Sequence, residues 1–144
     1  MLIKRITILF IAAIMFSSCS SSIKITKKII DDDMQNAMNI ISGNKINYLR
    51  LGEKQMGKTG FYYIINSEGK VVFHPQLILV GKSFKGLWFI DPVLKGNEGC
   101  VNYNVTGNKN YLFYKKINND EILCFTIMEE EITEYIQGCI EIKR

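Results

Sequence analysis

Residues 60–82 constrain this chain more than any other stretch. They read Gly-Phe-Tyr-Tyr-Ile-Ile-Asn-Ser-Glu-Gly-Lys-Val-Val-Phe-His-Pro-Gln-Leu-Ile-Leu-Val-Gly-Lys. Two short runs, 61–65 and 70–73, are rich in β-branched and aromatic residues, which suit a pleated, half-buried surface. Between them stands Asn66-Ser67-Glu68-Gly69, a glycine-containing linker with hairpin chemistry. His74-Pro75 then ends the second strand, because proline has no N–H to give to a sheet ladder. A loop follows and closes at Gly81-Lys82.

The other elements arrange themselves around this hairpin. From about residue 23 to residue 51 the pattern is helical, with Met34, Ala37, Met38 and Ile41 at i, i+3, i+4 and i+7. Asp31-Asp32-Asp33 precede that stripe and favour a helix N-terminus through the dipole. Ser42-Gly43-Asn44 is a weak point that leaves open one long helix or two shorter ones. Residues 52–59 form a polar connector. Its Gly57-Lys58-Thr59 is not a phosphate loop, which needs a further glycine upstream and a helix after it. Residues 83–94 predict a short helix, with Ser83 as cap and Pro92 ending or restarting it. Strands are expected over 100–105, 111–117 and 122–128, joined by tight polar turns as an antiparallel meander. Glu129-Glu130-Glu131 then open a predicted C-terminal helix, with an apolar stripe of Ile132, Tyr135, Ile136 and Cys139. The expectation is an α+β domain: a five-stranded antiparallel sheet, a long N-terminal helix, a short inserted helix and a C-terminal helix.

The N-terminus reads as an export signal. Lys4-Arg5 precede the apolar run 6–16, too short for the roughly 20 helical residues that cross a bilayer. Ser17-Ser18-Cys19 resembles a bacterial lipobox, with Phe16 where that pattern has leucine. The expected division is a signal peptide over 1–18, a lipidated tether over 19–22 and a single domain over 23–144. Acyl chains on Cys19 would hold the protein at a membrane of the cell envelope, periplasmic or surface-facing. The formal charge of +4 falls to +2 without Lys4 and Arg5, with 16 basic and 14 acidic residues left. That balance is too mild and scattered for nucleic acid. Cys100, Cys124 and Cys139 remain, an odd number that requires a free thiol or an intermolecular bridge. Cys100 and Cys124 sit in strand-like contexts and read as buried free thiols.

Taken in order, Gly60-Phe61, Asn66-Ser67-Glu68-Gly69, Val71-Val72-Phe73-His74-Pro75 and Val80-Gly81-Lys82 resemble the Cache domains, PAS-like sensor modules found outside bacterial membranes. The resemblance extends to about residue 128, the central half of the chain. It implies a PAS-like strand order and a small-molecule ligand held between the sheet and the loop after His-Pro. His74 is the one residue it carries over directly. Cache domains usually sit between membrane helices and drive an output domain. None is seen here, so a partner receptor or transporter is expected to receive the signal.

The residues themselves point to binding rather than catalysis. His74 is the sole histidine, and no nucleophile stands in a recognisable setting with it. The acidic run 129–131 cannot turn all its carboxylates to one ion on a helix, and no Cys/His spacing suggests a metal. No cofactor is expected. A small-anion site needs converging polar groups in an aromatic wall. Strand alternation puts Leu112, Tyr114 and Lys116 on one face and Tyr111, Phe113 and Lys115 on the other. The candidate ligand residues are therefore His74, Trp88, Tyr103, Tyr114 and Lys116, with a carboxylate as a fitting ligand. The lysines read equally as charges guarding a strand edge. Arg50 and Arg144 are the only arginines after the signal, and the arginine-aromatic motif of amino-acid-binding Cache receptors is absent. Two functions stand: an envelope sensor for a small organic molecule, or an interaction lipoprotein whose Cache-like core is filled by Trp88, Phe89 and tyrosine side chains and whose surface contacts another envelope protein.

Overall fold

The computed structural model describes residues 24–42 and 47–143. The expectations for the signal segment, Cys19 and the tether lie outside them. In chain order the elements are helices α1 (Lys27–Ile41) and α2 (Tyr48–Leu51), then strands β1 (Gln55–Met56), β2 (Gly60–Asn66) and β3 (Val71–Phe73). A 3-10 turn (Leu77–Leu79) and helix α3 (Asp91–Lys95) follow. Strands β4 (Glu98–Val105), β5 (Asn108–Lys116) and β6 (Glu121–Met128) lead to a second 3-10 turn (Glu129–Glu131) and to β7 (Ile140–Ile142).

α1 begins where its sequence allows a cap. Thr26 is extended and its hydroxyl accepts the Ile29 N–H, satisfying one of the amides a helix start leaves open. The three aspartates therefore fall inside the helix rather than ahead of it. Asp31 and Asp32 pair with Lys27 and Lys28 one turn earlier, exposed contacts that add little. Ile30, Met34, Ala37 and Ile41 form the buried stripe. The helical region is two pieces, the second only four residues long.

The hairpin forms as expected. Asn66 Oδ1 accepts the amides of Glu68 at 3.1 Å and Lys70 at 2.8 Å, and Gly69 takes the positive φ of 83° that closes the turn. The sheet has seven strands in the order β1-β2-β6-β5-β4-β7, with β3 also beside β2. Its central ribbon β3-β2-β6-β5-β4 is antiparallel throughout and has the PAS-like order. Two short strands, β1 and β7, extend the expected five.

The C-terminal helix is corrected. Beyond the 3-10 turn the chain is extended and ends as β7, parallel to β4 through Val101–Ile140, Asn102–Glu141 and Tyr103–Ile142. Long-range bonds outcompete the helical period here. The Glu131 carboxylate accepts the amides of Lys58 at 2.5 Å and Thr59 at 2.9 Å, together with the Thr59 hydroxyl. Thr133 gives its amide to Ile25 O. Cys139 is bonded to Cys100, with Cα atoms 4.7 Å apart. Of the stripe, only Ile136 is fully buried; Tyr135 is 78% exposed. The reading of Cys100 as a free thiol is corrected by the same bond, while Cys124 is the buried free thiol. Ser83 caps no helix: the inserted helix starts at Asp91, with Pro92 in its first turn where a missing N–H costs nothing.

The core lies on both faces of the sheet. α1 and α2 pack on Tyr62, Ile64, Tyr111, Phe113, Leu123, Phe125 and Ile127. The other face carries Tyr63, Ile65, Val101, Tyr103, Leu112, Tyr114, Ile122 and Cys124, under Phe84, Leu87, Phe89, Ile90, Val93 and Leu94. Among the described residues no helix is long and apolar enough to cross a membrane.

Candidate functional site

The face away from α1 is built in rows set by strand register. Phe61, Thr126, Leu112 and Val101 form one row; Tyr63, Cys124, Tyr114 and Gly99 form the next. Ile65, Ile122 and Lys116 form a third. Alternation along each strand sends these side chains to one side, as period two requires. Tyr103, opposite Asn110, sits beyond the first row and its hydroxyl lies 3.2 Å from Thr126 Oγ1. Thr126 Oγ1 also donates to Tyr111 O at 3.2 Å, a bond that leaves its lone pairs for Tyr103.

His74 closes one side of this face. It is only 5% exposed, and its ring packs 5.3 Å from Phe61, 5.6 Å from Tyr63 and 6.4 Å from Phe84. Its Nδ1 accepts the Gln76 N–H at 2.9 Å, so the ring proton stands on Nε2. Burial lowers its pKa, so the ring is neutral at physiological pH, the form in which Nδ1 can accept the Gln76 amide. A neutral imidazole fixed by its own loop is a hydrogen-bonding group and a turn-builder. Among the described residues it faces no acid that would orient it as a base.

The remaining polar groups on the face are hydroxyls. Burial raises the pKa values of Tyr63, Tyr103 and Tyr114, and that of the Cys124 thiol, which lies in hydrogen-bond contact with Tyr63. All four are neutral, and a neutral buried thiol is unreactive. The centre of the face can orient a ligand by hydrogen bonds and aromatic contact, and it carries no charge. Among the described residues no group of three or more His, Cys, Asp or Glu side chains is placed to hold a metal.

The predicted site residues are only partly brought together. Tyr103, Tyr114 and His74 share the face, and Trp88 lies in the segment that covers it, its ring 5.6 Å from Phe89. Lys116 projects from the same face of β5 but belongs to its far end. Tyr103 pairs with Asn110, six residues before Lys116, which is a separation of about 20 Å at a strand's rise. One small molecule cannot bridge that span. The Lys116 amide bonds to Asn97 O at 2.8 Å, at the margin of the cover. Tyr63, Thr126 and Cys124 escaped the sequence reading as site residues, although alternation in β2 and β6 carries their signal; Phe89 was expected only as a filler of the core.

The face is filled in this state. Phe89 stacks on Tyr103 with centroids 4.2 Å apart and planes 14° from parallel. The Tyr114 hydroxyl lies so close to Gly96 that a Cβ there would sit 2.3 Å from it. Clefts open elsewhere: one of about 1110 Å³ between the start of α1, residues 53–59 and residues 130–133, and one of about 350 Å³ where α1 crosses the ends of β4 and β5. Neither is lined by His74 or Trp88, but Tyr114 lines the smaller one.

No protein-family model and no curated protein matches the chain. Solved structures do. The ligand-binding domain of Mlp24 with asparagine superposes with a TM-score of 0.50 at 13% identity, over 60% of this chain and 36% of that one. The extracellular domain of the histidine kinase mmHK1S-Z3 gives 0.49 at 19% identity, over 56% and 34%. The domain of the Pseudomonas aeruginosa PAO1 amino-acid chemoreceptor PctB with L-Arg gives 0.46 at 16%, over 65% and 41%. The chain thus spans about a third of the first two structures. The likeness to the Mlp24 domain establishes the fold: α+β, with a PAS-like sheet.

Proposed function

We propose that this protein is a lipid-anchored sensor module of the bacterial envelope that binds a small organic molecule on its Tyr103 face and passes its state to a partner membrane protein. One observation carries the reading. Four neutral hydrogen-bonding groups, Tyr63, Tyr103, Tyr114 and Thr126, converge on a single face whose cover is held by side-chain packing, with its backbone bonds to the sheet at the margins. Such a cover can lift without breaking the sheet. A ligand would replace Phe89 against Tyr103 and meet the hydroxyls beneath. The fold neighbours include domains described with asparagine and L-Arg, so amino acids join carboxylates as the classes to try first. The Cys100–Cys139 disulfide supports an oxidising compartment outside the cytoplasm. Anchoring through Cys19 agrees with that location.

The closed face favours a second reading, an envelope interaction protein whose core its own side chains fill. Thermal unfolding with a panel of amino acids and small carboxylates separates the two. A ligand at 100 times its Kd stabilises a domain by about 2.7 kcal/mol, a clear rise in Tm. Tyr103→Phe should reduce that rise while leaving the apo Tm near the parent value. A flat panel, with the parent protein well folded, leaves only the interaction reading.

A further inference from the structure

The turn after His74 is exposed in a way the ligand reading does not explain. Leu77 and Ile78 are 79% and 80% exposed, and Val80 beside them is also open. The tip is nonetheless built, not slack. His74 Nδ1 holds the Gln76 amide. The amides of Leu79, Val80 and Lys82 bond to carbonyls of 76, 77 and 79, and the Gly81 amide bonds to Val71 O. Most of the tip's donors are thus already satisfied, which lowers the cost of entering an apolar medium, where stranded amides are penalised.

Charge tells what kind of apolar medium fits. Lys82 follows the tip directly. Lys70 and Lys85 stand on the same ribbon, tied to it by the Lys70–Ser83 bridge and by the bond from Phe84 N to Gly69 O. All three are exposed, and among the described residues none has a carboxylate within ion-pair distance. Aliphatic side chains ringed by lysines suit the interface of a bilayer with anionic headgroups, where the alkyl stems stay apolar and the ammonium groups reach the phosphates.

Position agrees. Ile25 pairs with Ile132, and the neighbouring Glu131 holds Lys58 and Thr59 at the start of β2. Two residues on, Phe61 packs on His74. The chain thus comes into the domain near His74, one stem of the tip; the other stem, Gly81–Lys82, is bonded to Val71 opposite Ile65. Lys24 is five residues after Cys19, at most about 18 Å of extended chain. We propose that residues 77–80 are a wedge that inserts into the interfacial layer of an anionic membrane. The wedge would fix the orientation of the domain on the surface to which its N-terminus holds it. The positional part rests on anchoring near Cys19; the tip's chemistry does not.

The test uses the full chain carrying Ile78→Trp, with vesicles of phosphatidylcholine alone or with a third phosphatidylglycerol. Sedimentation with the vesicles reports anchoring, and Trp emission, quenched by acyl-brominated lipid, reports the tip; the unsubstituted chain gives the Trp88 background. The expected result is a blue-shifted, bromolipid-quenched signal on anionic vesicles. Lys70, Lys82 and Lys85 each changed to Gln should weaken it about five-fold apiece. Leu77→Ser with Val80→Ser should weaken it about ten-fold or more. Chain that sediments while the tip stays accessible to aqueous quencher overturns the wedge and leaves the anchor standing. Chain that sediments only with an intact tip does the reverse. Neither signal overturns both. A blue shift that needs no lipid and follows protein concentration assigns the tip to a second copy and overturns the membrane proposal.

Discussion

α1 covers one face of the sheet with 15 residues of continuous helix, whereas residues 74–97 cover the other with turns and one five-residue helix. The helical side is also tied by buried polar contacts. Tyr62 gives its hydroxyl to Asp33 at 2.6 Å, and Lys54 completes that carboxylate at 2.7 Å. Tyr48 does the same for the buried Glu121 at 2.6 Å. Burial first, and then the facing carboxylates, drive both tyrosine pKa values far up, so these bonds hold at any physiological pH. The opposite cover meets the sheet through rings, Phe89 on Tyr103 and Phe84 on Tyr63 and His74, and through the fully buried Ile90 and Val93. Its backbone bonds to the sheet gather at its margins, around residues 69–71 and 116. One face is thus covered by a continuous helix with polar ties, the other by turns and packed side chains. Binding modules need such inequality, since the parts that move come from the less stable end of a fold.

The largest expected effect lies on the helical side. Tyr62→Ala empties a fully buried site and strands Asp33 and Lys54, so chemical denaturation should show a loss of about 3–5 kcal/mol. Phe89→Ala on the cover should cost less, about 1–2 kcal/mol, because its ring is only partly buried. Amide exchange should then quicken over residues 84–95 and remain at the parent rate in α1. Equal global losses from the two changes would break the comparison. The smallest effect belongs to His74. Its folded pKa lies below the unfolded value near 6.5, so the unfolded chain takes up the proton first. Stability contributed by the neutral ring is therefore full above about pH 7. It declines as pH falls through 6.5, by at most about 1.4 kcal/mol per pH unit, and levels off below the folded pKa. His74→Asn should flatten the Tm profile between about pH 7 and 5.5, above the range where carboxylates titrate.

The faces were readable because their signal is local. Alternation in 111–117 sorted Tyr114 from Phe113 correctly, and the Met34–Ala37–Ile41 stripe located the buried side of α1. The same habit misled at the C-terminus. There Ile132, Tyr135, Ile136 and Cys139 repeat with a helix's period, yet the chain is extended and tied to Ile25, Thr59 and Cys100. Lys116 shows the limit for the site. Its side of the strand was right, but its distance from Tyr103 depends on the register between β4 and β5.

From its order of residues alone this chain determines the hairpin at Asn66–Gly69, the turn that begins at His74 and the side of each strand that points away from α1. All of these follow from neighbours within a few residues, where sterics and hydrogen bonding act directly. Three-dimensional packing decided which cysteine stays free, that the last segment joins the sheet as a parallel strand, and that Phe89 occupies the Tyr103 face. Those outcomes bring together groups far apart along the chain, such as Cys100 with Cys139 and Glu131 with Thr59. Partners so distant are chosen by competition among long-range contacts, and no local period records the winner.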